Sequence, residues 1–142
     1  MNWLTRYLEV GRQYVLTLLA IMLIMANSQA QKFEAYSDAK QVLLKSYFDV
    51  TFTLSDANGS NFRAPNFRNF TVINGPSVSR STSIINGQMS KEEGYTFTLQ
   101  PKRIGTFSIG KAQITVGNKT FESQPISISV VQGKSGGDDA EE

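Results

Sequence analysis

The chain has 142 residues, with 14 Lys+Arg against 12 Asp+Glu, a formal net charge of +2, no His and no Cys. A chain so near neutrality carries no broad positive surface for nucleic acid. Without His and Cys there can be no Ser–His–Asp triad, no Cys nucleophile, no imidazole- or thiolate-held metal and no disulfide staple.

The N-terminus reads as an export signal. Arg6 and Arg12 precede an uncharged apolar run from Tyr14 to Ala26. At about 1.5 Å of helical rise per residue, that run covers only ~20 Å of a ~30 Å hydrocarbon core. Ser28 and Ala30 then supply small residues ahead of Gln31. Charged start, short apolar middle and small-x-small end together predict a secretory signal over residues 1–30, cleaved between Ala30 and Gln31. The only tryptophan, Trp3, lies within it, so the mature chain lacks the Cys…Trp…Cys pattern of antibody domains.

Strand signals dominate the mature chain. Phe48, Val50, Phe52 and Leu54 alternate with polar residues, the period of a strand with one buried face. The segment Asp56 to Ser60 is turn chemistry. Phe62, Phe67, Phe70 and Val72 form a second apolar set, interrupted by Pro65 and therefore expected on an edge or irregular strand. Asn74, Gly75 and Pro76 are expected to end it. The stretch Ser77 to Ile85 is polar and β-compatible, and Asn86-Gly87 after it is a two-residue hairpin signal, because both positions tolerate positive φ.

The returning strand carries Tyr95, Phe97 and Leu99, and Pro101 to Gly105 is expected to loop. Phe107 and Ile109 alternate with polar neighbours before a turn at Gly110. Gly117-Asn118 joins Ile114–Val116 to Lys119–Phe121, and Ile126, Ile128 and Val130 make a last alternating run. The expected fold is all-β: an immunoglobulin-like antiparallel β-sandwich of about 7–9 strands, since each sheet must bury its apolar face on another. The domain is expected over residues 31–132. Residues 133–142, Gly-rich and acidic, read as a flexible tail or the linker to a further segment of a longer protein.

Two stretches in this order are recognisable. One runs Asn58, Gly59, Phe62, Pro65, Phe67, Phe70, Gly75, Pro76; the other runs Tyr95, Phe97, Leu99, Pro101, Gly105, Phe107, Gly110, with the Asn86-Gly87 hairpin between them. Over roughly residues 32–132 the chain resembles the first domain of the aerotolerance BatD family. The resemblance implies a periplasmic, membrane-anchored protein of successive immunoglobulin-like modules, linked to oxygen or stress tolerance. It also implies partners: membrane proteins with von Willebrand A domains and a MoxR-type AAA ATPase. The family's further β-modules and C-terminal membrane span have no counterpart in these residues, so any membrane association is expected through regions beyond them.

Chemical motifs are sparse, and each has a plainer explanation. Ser37 and Lys40 match S-x-x-K, but the S-D-N and K-T-G partners of serine-acylating enzymes are missing. Glu92 and Glu93 are neighbours on a strand, so they point to opposite faces; a solvated charge cluster is expected rather than an acid/base pair. Asp56, Asn58 and Asn61 are oxygen-rich but lack the glycine and distal Glu of an EF-hand, so a turn is expected. Phe62-Arg63 and Phe67-Arg68 could suggest base stacking; a small sandwich needs those phenylalanines in its core. Asn58, Asn69 and Asn118 begin glycosylation sequons that would be inert in a bacterial periplasm. No catalytic, metal or cofactor site is assigned.

What remains is recognition. Pro65 marks an exposed edge, and Ser77–Ser83 is suited to pairing with a partner's strand. The expected function is a noncatalytic protein–protein interaction module of a bacterial envelope protein. The alternative is an exported surface module that binds carbohydrate or another protein, presenting exposed aromatics in a shallow groove.

Overall fold

The computed structural model describes residues 10–19 and 31–133 of the chain. Residues 10–19 are helical, and among the described residues no helix is long and apolar enough to cross a membrane. Arg6, Ala30 and the acidic residues after Gly133 lie outside the described residues, while Gln31 opens the folded unit.

The described β-unit has ten strands: β1 (Lys32–Ser37), β2 (Gln41–Leu43), β3 (Phe48–Ser55), β4 (Ser60–Arg63), β5 (Phe70–Ile85), β6 (Gln88–Pro101), β7 (Gly105–Ile109), β8 (Gln113–Val116), β9 (Lys119–Glu122) and β10 (Ile126–Val131). The first layer has the order β1-β3-β6-β5, antiparallel throughout. The remaining strands pair as β2-β10-β7 and β4-β8-β9. These two sets form one second layer. The chain passes from β7 to β8 beside its passage from β9 to β10, and at this seam Ser123 N donates to Ala112 O while Ala112 N donates to Ser123 Oγ, each at 3.0 Å. Among the described residues the one parallel pairing joins β2 to β10.

This is the immunoglobulin arrangement: β1, β3, β6 and β5 take the A, B, E and D places, β4 takes C, β7 with β8 takes F, and β9 with β10 takes G. The core follows the alternation. Val50, Phe52 and Leu54 of β3 and Leu99 of β6 are inaccessible to solvent, and Ile109, Ile114 and Ile128 face them from the second layer. Phe33 of β1 and Val42 of β2 are buried as well, in two strands that no periodic pattern marks in the sequence.

One expectation is corrected. Asn74, Gly75 and Pro76 do not end the strand; β5 runs through them for 16 residues. Its register against β6 shifts between Val72 and Asn74 and again between Asn74 and Ser77. Two bulges thus take up the extra residues and bend the strand while pairing resumes on the far side. Gly75 makes this possible, with φ at +118° and the space for a Cβ already occupied by Thr96 O at 2.6 Å. Pro76 is tolerated because β5 is the outermost strand of its layer.

Candidate functional site

The most exposed part of the fold is the hairpin of β5 and β6. At its tip Asn86 and Gly87 have φ of 50° and 75°, the type I′ turn that the Asn-Gly pair predicts. Register is continuous from Ser77↔Thr96 to Ile85↔Gln88. β3 accompanies β6 only as far as Ser55↔Glu92, so beyond that point the hairpin stands clear of the layer as a two-stranded arm. Val78, Ile84, Ile85 and Met89 are exposed along it. Among the described residues no backbone hydrogen bond ties residues 77–85 to any strand other than β6.

The root of the arm is locked by a buried carboxylate. Glu93 is 5% exposed, and its side chain accepts from Arg80 Nη2 at 2.7 Å, Tyr95 Oη at 2.8 Å and Gly59 N at 3.3 Å. One acid therefore holds β5, β6 and the Asp56–Gly59 turn together. Burial pushes its carboxyl pKa up, but the bonds from Tyr95, Arg80 and Gly59 outweigh this and leave it below the ordinary value. Burial and then the adjacent carboxylate push the Tyr95 hydroxyl up to about 12. Phe62 covers the cluster, stacked on Tyr95 with ring centroids 4.0 Å apart and planes at 5°.

The expectation for Glu92 and Glu93 is thus half corrected. The two do point to opposite faces, but only Glu92 is solvated. The signal was present, because counting back by two from Leu99, Phe97 and Tyr95 puts Glu93 on the inward face. A cleft of about 140 Å³ lies above it, lined by Ala57, Asn58, Arg80, Ser81, Thr82, Lys91, Glu92 and Glu93. It contains no aromatic ring, and the exposed Tyr36 and Tyr47 lie elsewhere, on β1 and in the β2–β3 loop.

The singled-out phenylalanines are packed rather than displayed. Phe70 is buried edge-on to Phe48 at 5.4 Å, Phe67 lies 5.1 Å from Phe97, and Phe107 meets Phe70 at 6.2 Å. Pro65 lies outside the strands against Gly110, and Pro101 closes β6 opposite Phe70. Gly59 is crowded by Ile114 and Leu54, and Gly105 opens β7 with φ at +137°. Ser37 ends β1 with its hydroxyl bonded to Ala39 O at 2.7 Å, so S-x-x-K is not presented on a helix. Asp56 adopts positive φ in the turn before β4, as expected, whereas Asn61 takes its positive φ inside β4, where the register against β8 shifts between Ser60 and Arg63.

The BatD DUF11 like domain model matches residues 35–130, from β1 to the last residues of β10. The chain belongs to the BatD family. No curated protein and no solved structure matches it. The BatD match covers both the locked root and the exposed arm.

Proposed function

We propose that this BatD-family domain is a noncatalytic protein–protein interaction module of a bacterial envelope protein, acting in a membrane-associated complex for stress or oxygen tolerance. The observation that carries the reading is the outer edge of β5, which no described strand pairs and which is exposed at every residue from Thr71 to Ile85. Such an edge accepts an extended segment through main-chain hydrogen bonds. The locked root holds that edge in one orientation, so little ordering entropy is lost on binding.

In the family's setting the partners are membrane proteins with von Willebrand A domains, working with a MoxR-type ATPase. Residues 1–30 direct export to the periplasm, with cleavage after Ala30. Capture from envelope extracts tests the partner reading. The unaltered chain is expected to retain von Willebrand A-domain proteins, and Thr82→Pro, which blocks the edge, is expected to lose them. Equal recovery by both chains would overturn it. Sequencing the N-terminus of exported protein checks the signal, with Gln31 expected first.

A further inference from the structure

The free edge of β5 is complementary to itself. The type I′ turn bonds Ile85 to Gln88, so along β5 the odd-numbered residues Ser77, Ser79, Ser81, Ser83 and Ile85 direct their backbone groups to β6. The even-numbered Val78, Arg80, Thr82 and Ile84 direct theirs outward, where none of the described residues meets them. An added antiparallel strand must therefore bond to those four residues.

We infer that in the isolated protein this edge is occupied by β5 of a second copy, paired antiparallel about a twofold axis through Ser81; this rests on the edge-binding reading above, in which an envelope partner displaces that copy from the same edge. In this register Val78 faces Ile84 of the other copy and Arg80 faces Thr82, each pair exchanging two backbone bonds, and the two serines at position 81 meet on the axis. Exposed apolar side chains thereby cover each other: Val78 is 47% and Ile84 66% exposed, and Met89, directly across β6 from Ile84, is 53% exposed. Both members of each apolar pair project from the face that bears Tyr95 and Glu93.

The alternatives of the same parity are worse. Centring the axis on Arg80 sets two guanidinium groups directly opposite, a like-charge pair. Centring it on Thr82 puts Ile84 against Arg80 and leaves Val78 facing the turn. Sliding the other way brings Pro76, which has no N–H, into the ladder. The dimer extends the four-stranded layer into one continuous sheet across both copies.

The chain has no cysteine, so single-cysteine variants report the register cleanly. Residues facing each other across an antiparallel pair lie within the Cα separation a disulfide spans. Ser81→Cys is expected to give a covalent dimer under mild oxidation. Ser83→Cys, about 14 Å from its own copy in this register, is expected to crosslink at least tenfold more slowly. Mixing Ser79→Cys with Ser83→Cys restores rapid crosslinking. By sedimentation the unaltered full chain is expected to be a concentration-dependent dimer, and Thr82→Pro a folded monomer. Equal crosslinking of Ser81→Cys and Ser83→Cys, or a monomer at every concentration, overturns the self-pairing. A monomer whose envelope partners are still lost on Thr82→Pro overturns only the self-pairing and leaves the edge as the docking site for another protein.

Discussion

Arg80 and Glu93 stand directly opposite each other on β5 and β6, with Arg80 Nη2 donating to Glu93 Oε1 at 2.7 Å. The arginine side chain is 73% exposed and the glutamate 7%, so the pair is an asymmetric one. A buried carboxylate depends on its donors for solvation, whereas an exposed guanidinium recovers water when its partner is removed. The locking function therefore resides mainly in Glu93.

Removing the acid should cost more than removing the base. Glu93→Ala strips the acceptor from Tyr95 Oη and Gly59 N and is expected to lower unfolding stability by about 2–3 kcal/mol. Arg80→Ala should cost about 1 kcal/mol or less. Urea titration of both variants measures the order, and equal losses would contradict it.

The same cluster should shape stability at both ends of the pH scale. The Glu93 carboxyl is held below its unfolded value of roughly 4.3. Its contribution is complete above that value and is lost as pH falls through the folded pKa. Tyr95, pushed up to about 12, contributes fully below its unfolded value of roughly 10 and loses that contribution as pH rises toward 12. Urea midpoints across pH should show both declines. Tyr95→Phe should flatten the alkaline one and weaken the acid one, because Glu93 loses a donor; an unchanged alkaline limb would refute the assignment.

Two glycines of positive φ should differ in what alanine does to them. At Gly75 a Cβ meets Thr96 O at 2.6 Å, while at Gly87 nothing lies within 4 Å. Gly87→Ala should cost only the left-handed backbone penalty, about 1 kcal/mol. Gly75→Ala adds a clash with main chain and should cost ~2–4 kcal/mol, visible as the lower melting temperature of the two.

Aromatic truncation should be graded by burial. Phe52 is inaccessible and contacts Phe62 and Phe97 at 5.9 and 6.2 Å. Phe52→Ala is expected to cost ~3–5 kcal/mol. Phe62→Ala, at the half-buried lid over Tyr95, should cost about 2 kcal/mol. It should also lower the near-ultraviolet dichroism of Tyr95, whose ring would lose its stacking partner. Denaturant unfolding and dichroism of the two variants check this.

Much of the layer structure was legible in residue order. Phe48 to Leu54 alternates because one face of β3 is buried, and Asn86-Gly87 and Gly117-Asn118 each close a hairpin where expected. β1 and β2 were less legible: Phe33 and Val42 are single buried residues in short strands, too few to establish a period. Gly75-Pro76 read as a stop because those residues cannot continue a regular ladder. Only the bulged pairing with β6 lets β5 continue past them. Glu93 was legible in phase but not in environment, since two of its three donors, Gly59 and Arg80, come from distant segments of the chain.

The sequence by itself determined the secondary structure class, the hairpin turns and the inward face of most strands. These come from local rules: side chains alternate across a strand, and left-handed turns select Asn and Gly. Which strand lies outermost depends on pairings between distant segments, and nothing in residues 77–85 alone reveals that β6 is their one neighbour among the described strands. Tertiary structure decided that β5 ends its layer and that Glu93 is buried at the root of the arm, because edge position and desolvation belong to the assembled sheet.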